Sequence, residues 1–368
     1  YEEYFARIKS GDPSKLVVVI DEAQFIAKRD ASFMEAVAKL KKHKLYPGPV
    51  LIILATSSTV WGTQEAAEQF KGAEMKLESL NFLEVVRHFE NLPVAEIVRI
   101  YGAIGGVPAY LDEWDAAKSF KENICRLVLT PSGALYGEAD AVISAELREL
   151  SAYSTILAAI ARGENKLNDI FHATGFSRAK ISVYLKNLAA FNIVEKVVSF
   201  ETGGWENAKK GVYQIKDTFV NFWFKFVYPN MSNLYLLSPE EFYDTYIEKE
   251  LDAYLERYFR EVCTEYLLIL NQMGQLPFAI KRVGTWIGKT GRIDIVAQSE
   301  DRRSIIGFCN WDKPMMTMDM CENMAMAMEQ ARLTSDDYYL FSATDFEPAL
   351  QSYVVRDPRF KLINMNEL

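Results

Sequence analysis

The sequence is poor in the residues on which redox and metal chemistry depend. Among 368 residues there are four cysteines and three histidines. The cysteines form no CxxC pair and the histidines are scattered, so the pattern predicts reduced thiols and indicates neither a zinc site nor a histidine-based triad. No apolar run approaches the roughly 20 residues that a membrane-spanning helix needs. The first ten residues do not have the pattern of a signal peptide, and we expect a cytoplasmic protein.

The chain also lacks an excess of positive charge. It has 41 lysines and arginines against 50 aspartates and glutamates, a net charge of −9. This balance argues against a protein that coats nucleic acid without regard to sequence. The apolar content of 49% and charged content of 25% are typical of a globular protein. A chain of this length is expected to contain two or three domains.

One aliphatic stretch ends abruptly in two acids. Residues 16–20 are all β-formers, which predicts a strand buried on both faces, as in a parallel sheet covered by helices. Asp21 and Glu22 follow directly. Ligands of open α/β sheets bind at the carboxyl ends of strands, so these carboxylates are placed for chemistry. The alternative is an Asp-Glu helix cap after an ordinary buried strand.

A second predicted strand, residues 50–55, ends in Thr56, Ser57 and Ser58. The two stretches resemble the Walker B motif and the sensor strand of P-loop ATPases. The resemblance implies that Asp21 holds the Mg²⁺ of bound ATP and that Glu22 polarises the attacking water. It also implies that the hydroxyls of Thr56 and Ser57 sense the γ-phosphate.

The phosphate-binding loop of such ATPases has no counterpart in the chain. A strand, a GxxxxGK[ST] loop and a helix need more than the twenty residues that precede Asp21. We expect that loop upstream in a longer protein, expect ATP and Mg²⁺ binding to require it, and expect this chain to be inactive alone. The sequence Gly288-Lys289-Thr290 has the wrong spacing for the loop and is predicted to be part of a turn that begins at Gly284.

Further stretches extend the resemblance along the chain. They are NFLEV at 81–85, YGAIGGVPAYL at 101–111 and LRELSAYSTILAAIARG at 147–163. In this order they resemble archaeal-type P-loop ATPases of the AAA+/STAND class, whose C-terminal domain is restriction-endonuclease-like. We therefore predict a multidomain α/β chain, divided as follows: a partial P-loop NTPase parallel sheet at 1–115, a helical linker at 116–150, a winged helix-turn-helix at 151–216, an aromatic linker helix at 217–238 and a degenerate endonuclease-like domain at 239–368.

The winged helix is predicted from two helices around a glycine-containing turn, followed by two short strands. Residues 163–216 carry eight basic side chains against five acidic ones, a local reversal of the overall charge. In a DNA-binding interpretation the groove-facing residues are Ser177, Arg178, Lys180, Ser182 and Lys186, with Lys209 and Lys210 on the wing. The alternative is a lid or a protein-interaction module, so the expected partner is either double-stranded DNA or another protein.

The last predicted domain has the order helix, three strands, helix, strand. A nuclease of this type needs an Asp at one strand end and (Asp/Glu)-x-Lys on the next strand, to hold Mg²⁺ and steady the attacking water. Asp294 fits the first position, whereas Phe308 and Asn310 stand where the acid and the lysine are required. We predict a nuclease-shaped domain that does not cut. The alternative is a residual nuclease that uses Asp294 with Glu261.

These patterns together predict an ATP-dependent switch protein with a winged helix and an inactive nuclease-like domain. The alternative hypothesis is a scaffold without enzymatic activity that uses the same domains to hold DNA or a protein.

Overall fold

The structure is a computed structural model that describes residues 16–42, 49–58, 61, 72–200, 211–288 and 291–367. Its contacts divide the chain into two compact units, residues 1–78 and 79–368. Each contains strands paired in parallel, and the chain is a mixed α/β protein. Among the described residues, no helix has the length and apolar character that crossing a membrane requires.

The first unit is built on a pair of parallel strands. Strands β1 (Leu16–Ile20) and β2 (Val50–Leu54) pair in register from Leu16 opposite Val50 to Ile20 opposite Leu54. Helices α1 (Ala23–Arg29) and α2 (Phe33–Lys42) lie between them in the chain. A small core packs against one face of the strands, formed by Ala23, Phe33, Met34, Val37 and Trp61.

The other face of these strands is exposed, which corrects the prediction that residues 16–20 are buried on both faces. Val17 and Val19 are 56% and 61% exposed, and Leu51 and Ile53 of the neighbouring strand are also exposed. Successive side chains of a strand point to opposite faces, and the core of this unit covers one face only. Among the described residues, the outer face therefore presents a row of aliphatic side chains to solvent.

The second unit begins with short helices, which share one large core. They are α3 (Phe82–His88), α4 (Val94–Ile104), α5 (Pro108–Asp112), α6 (Phe120–Ile124), which continues as a π-helical turn at Cys125–Leu129, and α7 (Glu138–Glu146). The predicted first domain extended to residue 115. The contacts instead place residues 79–115 in the second unit, because the apolar faces of α3 and α4 pack into its core.

Three helices and a hairpin follow. They are α8 (Leu150–Ala161), α9 (Leu167–Thr174), α10 (Arg178–Ala190) and the antiparallel strands β3 (Val194–Val197) and β4 (Val212–Ile215). Gly175 ends α9 with φ of 70°, a backbone conformation that favours glycine. The hydroxyl of Ser177 accepts a hydrogen bond from Lys180 N and caps α10. The helices, turn and cap thus form where the sequence predicts them.

The aromatic segment lies at the centre of the second unit. Helix α11 (Thr218–Phe222) continues as a π-helical turn at Trp223–Val227 and a 3-10 turn at Tyr228–Asn230. The sequence predicts an aromatic linker helix at 217–238, and five of its aromatic side chains are at most 1% exposed, namely Phe219, Phe222, Trp223, Phe224 and Phe226. They belong to the same core as the helices before and after them, which is what large apolar surfaces favour.

A five-stranded mixed sheet completes the second unit. Its strands, in spatial order, are β11 (Phe360–Asn364), β9 (Asp337–Ser342), β7 (Ser304–Asn310), β6 (Arg292–Gln298) and β5 (Arg282–Ile287). The first three are parallel, and β5, β6 and β7 are antiparallel. The short strands β8 (Met315–Met316) and β10 (Asp345–Phe346) form a separate parallel pair. Because β5 extends to Ile287, the predicted turn beginning at Gly284 is wrong.

Helices cover both faces of this sheet. Two short helices, α12 (Met231–Leu234) and α13 (Pro239–Tyr246), lead to the 25-residue helix α14 (Glu248–Gln272). Helix α14 shares a core with Ile295, Ala297 and Ile305 of one face. The helices α15 (Met318–Ala331) and α16 (Pro348–Arg356) contribute to a second core, on the other face.

Helix α15 and the strand before it are rich in methionine. Met316, Met324 and Met328 are buried in the second core of the sheet. Met315 is 40% exposed and Met326 is 54% exposed. Some of these methionines thus fill the core and others lie at the surface. Separately, the described residues contain no group of three or more His, Cys, Asp or Glu side chains that could hold a metal ion.

Candidate functional site

The polar residues that follow β1 and β2 lie at the same edge of the strand pair. The backbone ladder continues past both strands, because Ala55 N donates to Ile20 O at 2.9 Å and Ala23 N donates to Ala55 O at 3.0 Å. Asp21 and Glu22 are thereby held beside Thr56 and Ser57. Carboxyl ends of parallel strands are where open α/β sheets bind ligands.

Glu22 is the centre of this group. Its Oε2 accepts a hydrogen bond from Ser57 Oγ at 2.8 Å and another from Gln24 Nε2. Gln24 Nε2 also donates to Ser57 Oγ at 3.1 Å. Glu22 has φ of 49° and ψ of 40°, a left-handed conformation that is costly for a residue with a side chain. Strain of this kind is typical of functional sites, and the hydrogen bonds of the carboxylate help to maintain it.

Gln24 is a member of the group that the sequence patterns did not single out. Its side chain is 2% exposed, and its Oε1 is buried without a hydrogen-bond partner among the described residues. The amide nitrogen alone is satisfied, because it faces Glu22 and Ser57. Its place three residues after Asp21, as a polar side chain in the first turn of α1, was the signal available in the sequence.

The hydrogen bonds of the group favour the ionised form of Glu22. Hydrogen bonds from Gln24 and from Ser57 lower the pKa of Glu22 below its ordinary value of 4.5. Asp21 is exposed, and its Oδ1 accepts a hydrogen bond from Glu22 N at 2.9 Å. Thr56 Oγ1 accepts from Ser58 N at 3.0 Å, which orients the loop after β2. The edge of the strand pair thus presents two carboxylates and two hydroxyls.

The donor set fits Mg²⁺ held together with a nucleotide. Mg²⁺ binds oxygen ligands, keeps several waters and is usually held by one or two carboxylates plus the phosphates of a substrate. Asp21 and Glu22 supply that number of carboxylates. The described residues contain no group of three or more His, Cys, Asp or Glu side chains that would hold a metal by itself.

The five residues predicted to contact DNA on α10 are all exposed. Arg178 Nη2 donates to Asn168 Oδ1 at 2.6 Å, and its guanidinium lies 4.2 Å from the centroid of the Phe171 ring. Lys180 lies 4.4 Å from the Phe176 ring centroid. Ser177 caps the helix, and Ser182 Oγ donates to Arg178 O at 2.9 Å.

The available cations on this helix are therefore Arg178, Lys180 and Lys186, whereas both serine hydroxyls already have partners within the helix. The predicted wing residues Lys209 and Lys210 lie outside the described residues.

The predicted nuclease-like residues do not converge on one point. Asp294 is 9% exposed, and its Oδ2 accepts a hydrogen bond from Cys309 N at 3.1 Å. Phe308 instead packs into the core on the face of the sheet that α15 covers. Asn310 is buried and donates to Ser342 Oγ at 3.1 Å and to Lys313 O at 3.2 Å, so it joins the ends of β7 and β9.

Glu261, the acid of the alternative nuclease interpretation, has a structural partner. Arg257 Nε donates to Glu261 Oε1 at 2.8 Å, and Arg257 Nη1 donates to Ile215 O at 2.8 Å. The carboxylate of Asp294 faces two other arginines: Arg260 Nε lies 3.7 Å and Arg292 Nε lies 3.5 Å from its Oδ1. Two arginines thus face Asp294, and Arg260 is shared between Asp294 and Glu256.

Comparison with known proteins identifies relatives without an assigned activity. Residues 223–326 match a family described as archaeal and bacterial proteins of unknown function, DUF234. An uncharacterized protein of Methanocaldococcus jannaschii is 27% identical over 352 residues, which cover 93% of this chain and 77% of the relative.

Two solved structures have weak likenesses to the chain. A Walker-type ATPase of Pyrococcus abyssi is 18% identical with a TM-score of 0.34, over 57% of this chain and 63% of the ATPase. A protein from Vibrio cholerae is 9% identical with a TM-score of 0.23, over 96% of this chain and 88% of that protein. At these TM-scores neither structure carries an argument about the fold. The chain is thus similar to archaeal and bacterial proteins whose function is not known.

Proposed function

We propose that this chain is the part of an ATP-dependent switch protein that carries the Walker B acids, in the manner of archaeal-type P-loop ATPases. The observation that carries the proposal is the contact between Glu22 and Ser57, 35 residues apart, at the carboxyl edge of β1 and β2. An ordinary helix cap requires no such contact. The N-cap position of α1 is Glu22 itself, and its side chain caps nothing in the helix.

In this proposal each residue has a distinct role. Asp21, which is exposed, would hold Mg²⁺ together with the phosphates of the nucleotide. Glu22, kept ionised by its hydrogen bonds, orients and polarises the attacking water. Ser57 and Thr56 would offer hydroxyls to the γ-phosphate of a bound nucleotide, and a hydrogen bond joins Ser57 to Glu22. A phosphate-binding loop elsewhere in the full-length protein completes the site.

The test is hydrolysis of Mg-ATP by the full-length protein. Glu22→Gln removes the charge while the amide oxygen still accepts the hydrogen bonds from Ser57 and Gln24. We expect this variant to retain nucleotide binding and to lose about 100-fold or more of the hydrolysis rate, within the range that acid–base groups contribute. Glu35→Gln is the matched control, because Glu35 is an exposed glutamate of the same unit, on α2. Equal hydrolysis rates in the two variants would refute the role of Glu22.

A second candidate function, contact with double-stranded DNA, is favoured by the exposed surface of α10. Arg178, Lys180 and Lys186 are exposed on a helix that follows a glycine turn and precedes a hairpin, the arrangement proposed here to be a winged helix. Residues 163–216 have a net charge of +3 in a chain of net charge −9. Under the alternative hypothesis the chain has no enzymatic activity and this surface holds DNA or a protein partner.

A gel shift with duplex DNA at several salt concentrations tests this surface. Replacing Arg178, Lys180 and Lys186 by Ala should weaken binding and reduce the dependence of log K on log salt by about 0.9 for each DNA phosphate that the variant no longer neutralises. Lys281→Ala is the control, because Lys281 is an exposed cation away from α10, paired with Glu300. If the triple variant binds DNA with the same affinity and salt dependence as the unmodified chain, α10 is not a DNA-binding surface. The alternative of a protein partner is then favoured.

A further inference from the structure

A β-bulge places Asp294 on the face of the sheet that α14 covers. Gly284 pairs with Val296 and Trp286 pairs with Ile293, so the single residue Thr285 opposes both Asp294 and Ile295. Thr285 Oγ1 donates to Asp294 O at 2.8 Å, which satisfies the carbonyl that the bulge removes from the ladder. Bulges of this kind redirect side chains and are over-represented next to binding sites.

Two guanidinium groups converge on the carboxylate that the bulge exposes to α14. Arg292 lies two residues before Asp294 on β6, and Arg260 extends from α14. Their Nε atoms are 3.5 and 3.7 Å from Asp294 Oδ1, longer than a normal hydrogen bond. Arg260 is also 3.6 Å from Glu256 Oε2, again beyond that range. The two arginines are therefore close to anionic oxygens without close hydrogen bonds to them.

Arg260 Nε is buried without a hydrogen-bond partner among the described residues. A buried N–H of a charged group normally has a partner, because leaving it unsatisfied is costly. The side chain of Arg292 is 43% exposed, so the pair is accessible from solvent. Asp294 and Glu256 balance the two positive charges, but within the described part of the chain Arg260 Nε is left without a hydrogen bond, and the guanidinium of Arg292 is reached by solvent.

Arg257, on the same helix, shows what a structural arginine looks like here. It donates to Glu261 at 2.8 Å and to the carbonyl of Ile215 at 2.8 Å, so its guanidinium has close partners. Among the described residues, neither Arg260 nor Arg292 has a hydrogen bond as short as those of Arg257. Planar guanidinium groups match the oxygens of a phosphate group, to which they donate paired hydrogen bonds.

We propose that Arg260 and Arg292 bind a phosphate group between α14 and β6. The site lies beside Asp294, where the sequence predicts a degenerate nuclease site, and its ligand is an anion and not a divalent metal. When no ligand is present, the carboxylate of Asp294 faces the two guanidinium groups. It therefore competes with the phosphate group for them. The ligand chemistry is that of a phosphate monoester or diester, carried either by a small molecule or by a nucleic-acid backbone.

The first test is equilibrium dialysis of radiolabelled inorganic phosphate against the chain in EDTA, so that metal-dependent nucleotide binding makes no contribution. Arg292→Gln and Arg260→Gln should weaken phosphate binding roughly tenfold or more, the loss expected from hydrogen bonds to a charged group. Asp294→Asn should strengthen it by a similar factor, because the amide oxygen still accepts the Cys309 N–H and the competing charge is gone.

The opposite signs of these effects distinguish a binding site from a structural cluster. A variant that had merely lost its fold would not bind phosphate more tightly, and Arg292→Lys should recover part of the loss. Arg303→Gln is the matched control, since Arg303 forms an exposed pair with Asp301 at 2.9 Å and should change nothing. The proposal is overturned if neither the unmodified chain nor Asp294→Asn binds phosphate, or if binding is unchanged in both arginine variants.

Competition identifies the source of the phosphate. A short oligonucleotide that displaces labelled phosphate from the unmodified chain, and binds Arg292→Gln more weakly, indicates a phosphodiester backbone. Displacement by a phosphate monoester but not by the oligonucleotide indicates a small molecule. Both results support the anion site and are independent of ATP hydrolysis at Glu22.

Discussion

The close approach of Gly106 to Leu80 offers a quantitative test of the fold. Leu80 N donates to Gly106 O at 2.8 Å. A methyl group on Gly106 would lie 1.9 Å from Leu80 O and 2.8 Å from Leu80 C. Both atoms belong to the backbone, so no side-chain rotation relieves the overlap. Gly106→Ala must therefore separate the two segments by roughly 1 Å or more, because carbon and oxygen approach to about 3.3 Å.

The expected loss of stability follows from this geometry. Overpacking of a tight site costs about 1–3 kcal/mol, and an unmade buried hydrogen bond costs about 1–3 kcal/mol. Replacing glycine returns about 0.4–1 kcal/mol, because the unfolded chain is less flexible. The free energy of unfolding should thus fall by about 1–5 kcal/mol.

The assay is urea unfolding followed by tryptophan fluorescence, with a midpoint shift on the order of 1 M. Gly137→Ala is the matched control, since nothing lies within 4 Å of its added methyl group. It should change stability by less than about 1 kcal/mol. If the two variants unfold at the same urea concentration, the backbone approach of Gly106 to Leu80 is refuted.

Two further predictions concern the ionisable groups. Ser57 and Gln24 stabilise the ionised form of Glu22, so the rate of ATP hydrolysis by the full-length protein should fall on the acid side only below about pH 4.5. In a pH–rate profile, Ser57→Ala should shift this acid-side fall to higher pH. An unshifted profile would contradict the hydrogen bond between Ser57 and Glu22. Burial raises the pKa of Cys125 to about 12 and of Cys321 to about 11. At pH 8 the folded chain should therefore react with Ellman's reagent at least roughly 100-fold more slowly than the urea-unfolded chain; immediate reaction of all four thiols in the folded chain would contradict this burial.

The local features of the fold were predictable from the sequence. Short aliphatic runs bounded by polar residues marked β1 and β2, and the parallel pairing of these strands brought Glu22 and Ser57 together at one edge. Gly175 and Ser177 marked the turn and the cap between α9 and α10. These signals are carried by neighbouring residues, which is why sequence patterns reveal them.

Features that depend on contacts between distant residues were not predictable in this way. The aliphatic run of β1 does not reveal that one of its faces is exposed, because exposure depends on what packs against the strand. The bulge at Asp294 is created by the pairing of β5 with β6, which no local pattern in the sequence of β6 reveals. Arg260 stands where the nuclease pattern expects a helix acid, but its approach to Asp294, 34 residues later, depends on the packing of α14 against the sheet.

The division of methionines between core and surface has a consequence for oxidative damage. Within this methionine-rich segment, peroxide should convert Met315 and Met326 to sulfoxides before Met324 and Met328, since the first two are exposed. These side chains can become polar at the surface without opening the core. Sulfoxide at Met324 or Met328, by contrast, would place a polar group among the aliphatic side chains that join α15 to the sheet. The surface methionines can therefore consume oxidant before the buried ones are reached.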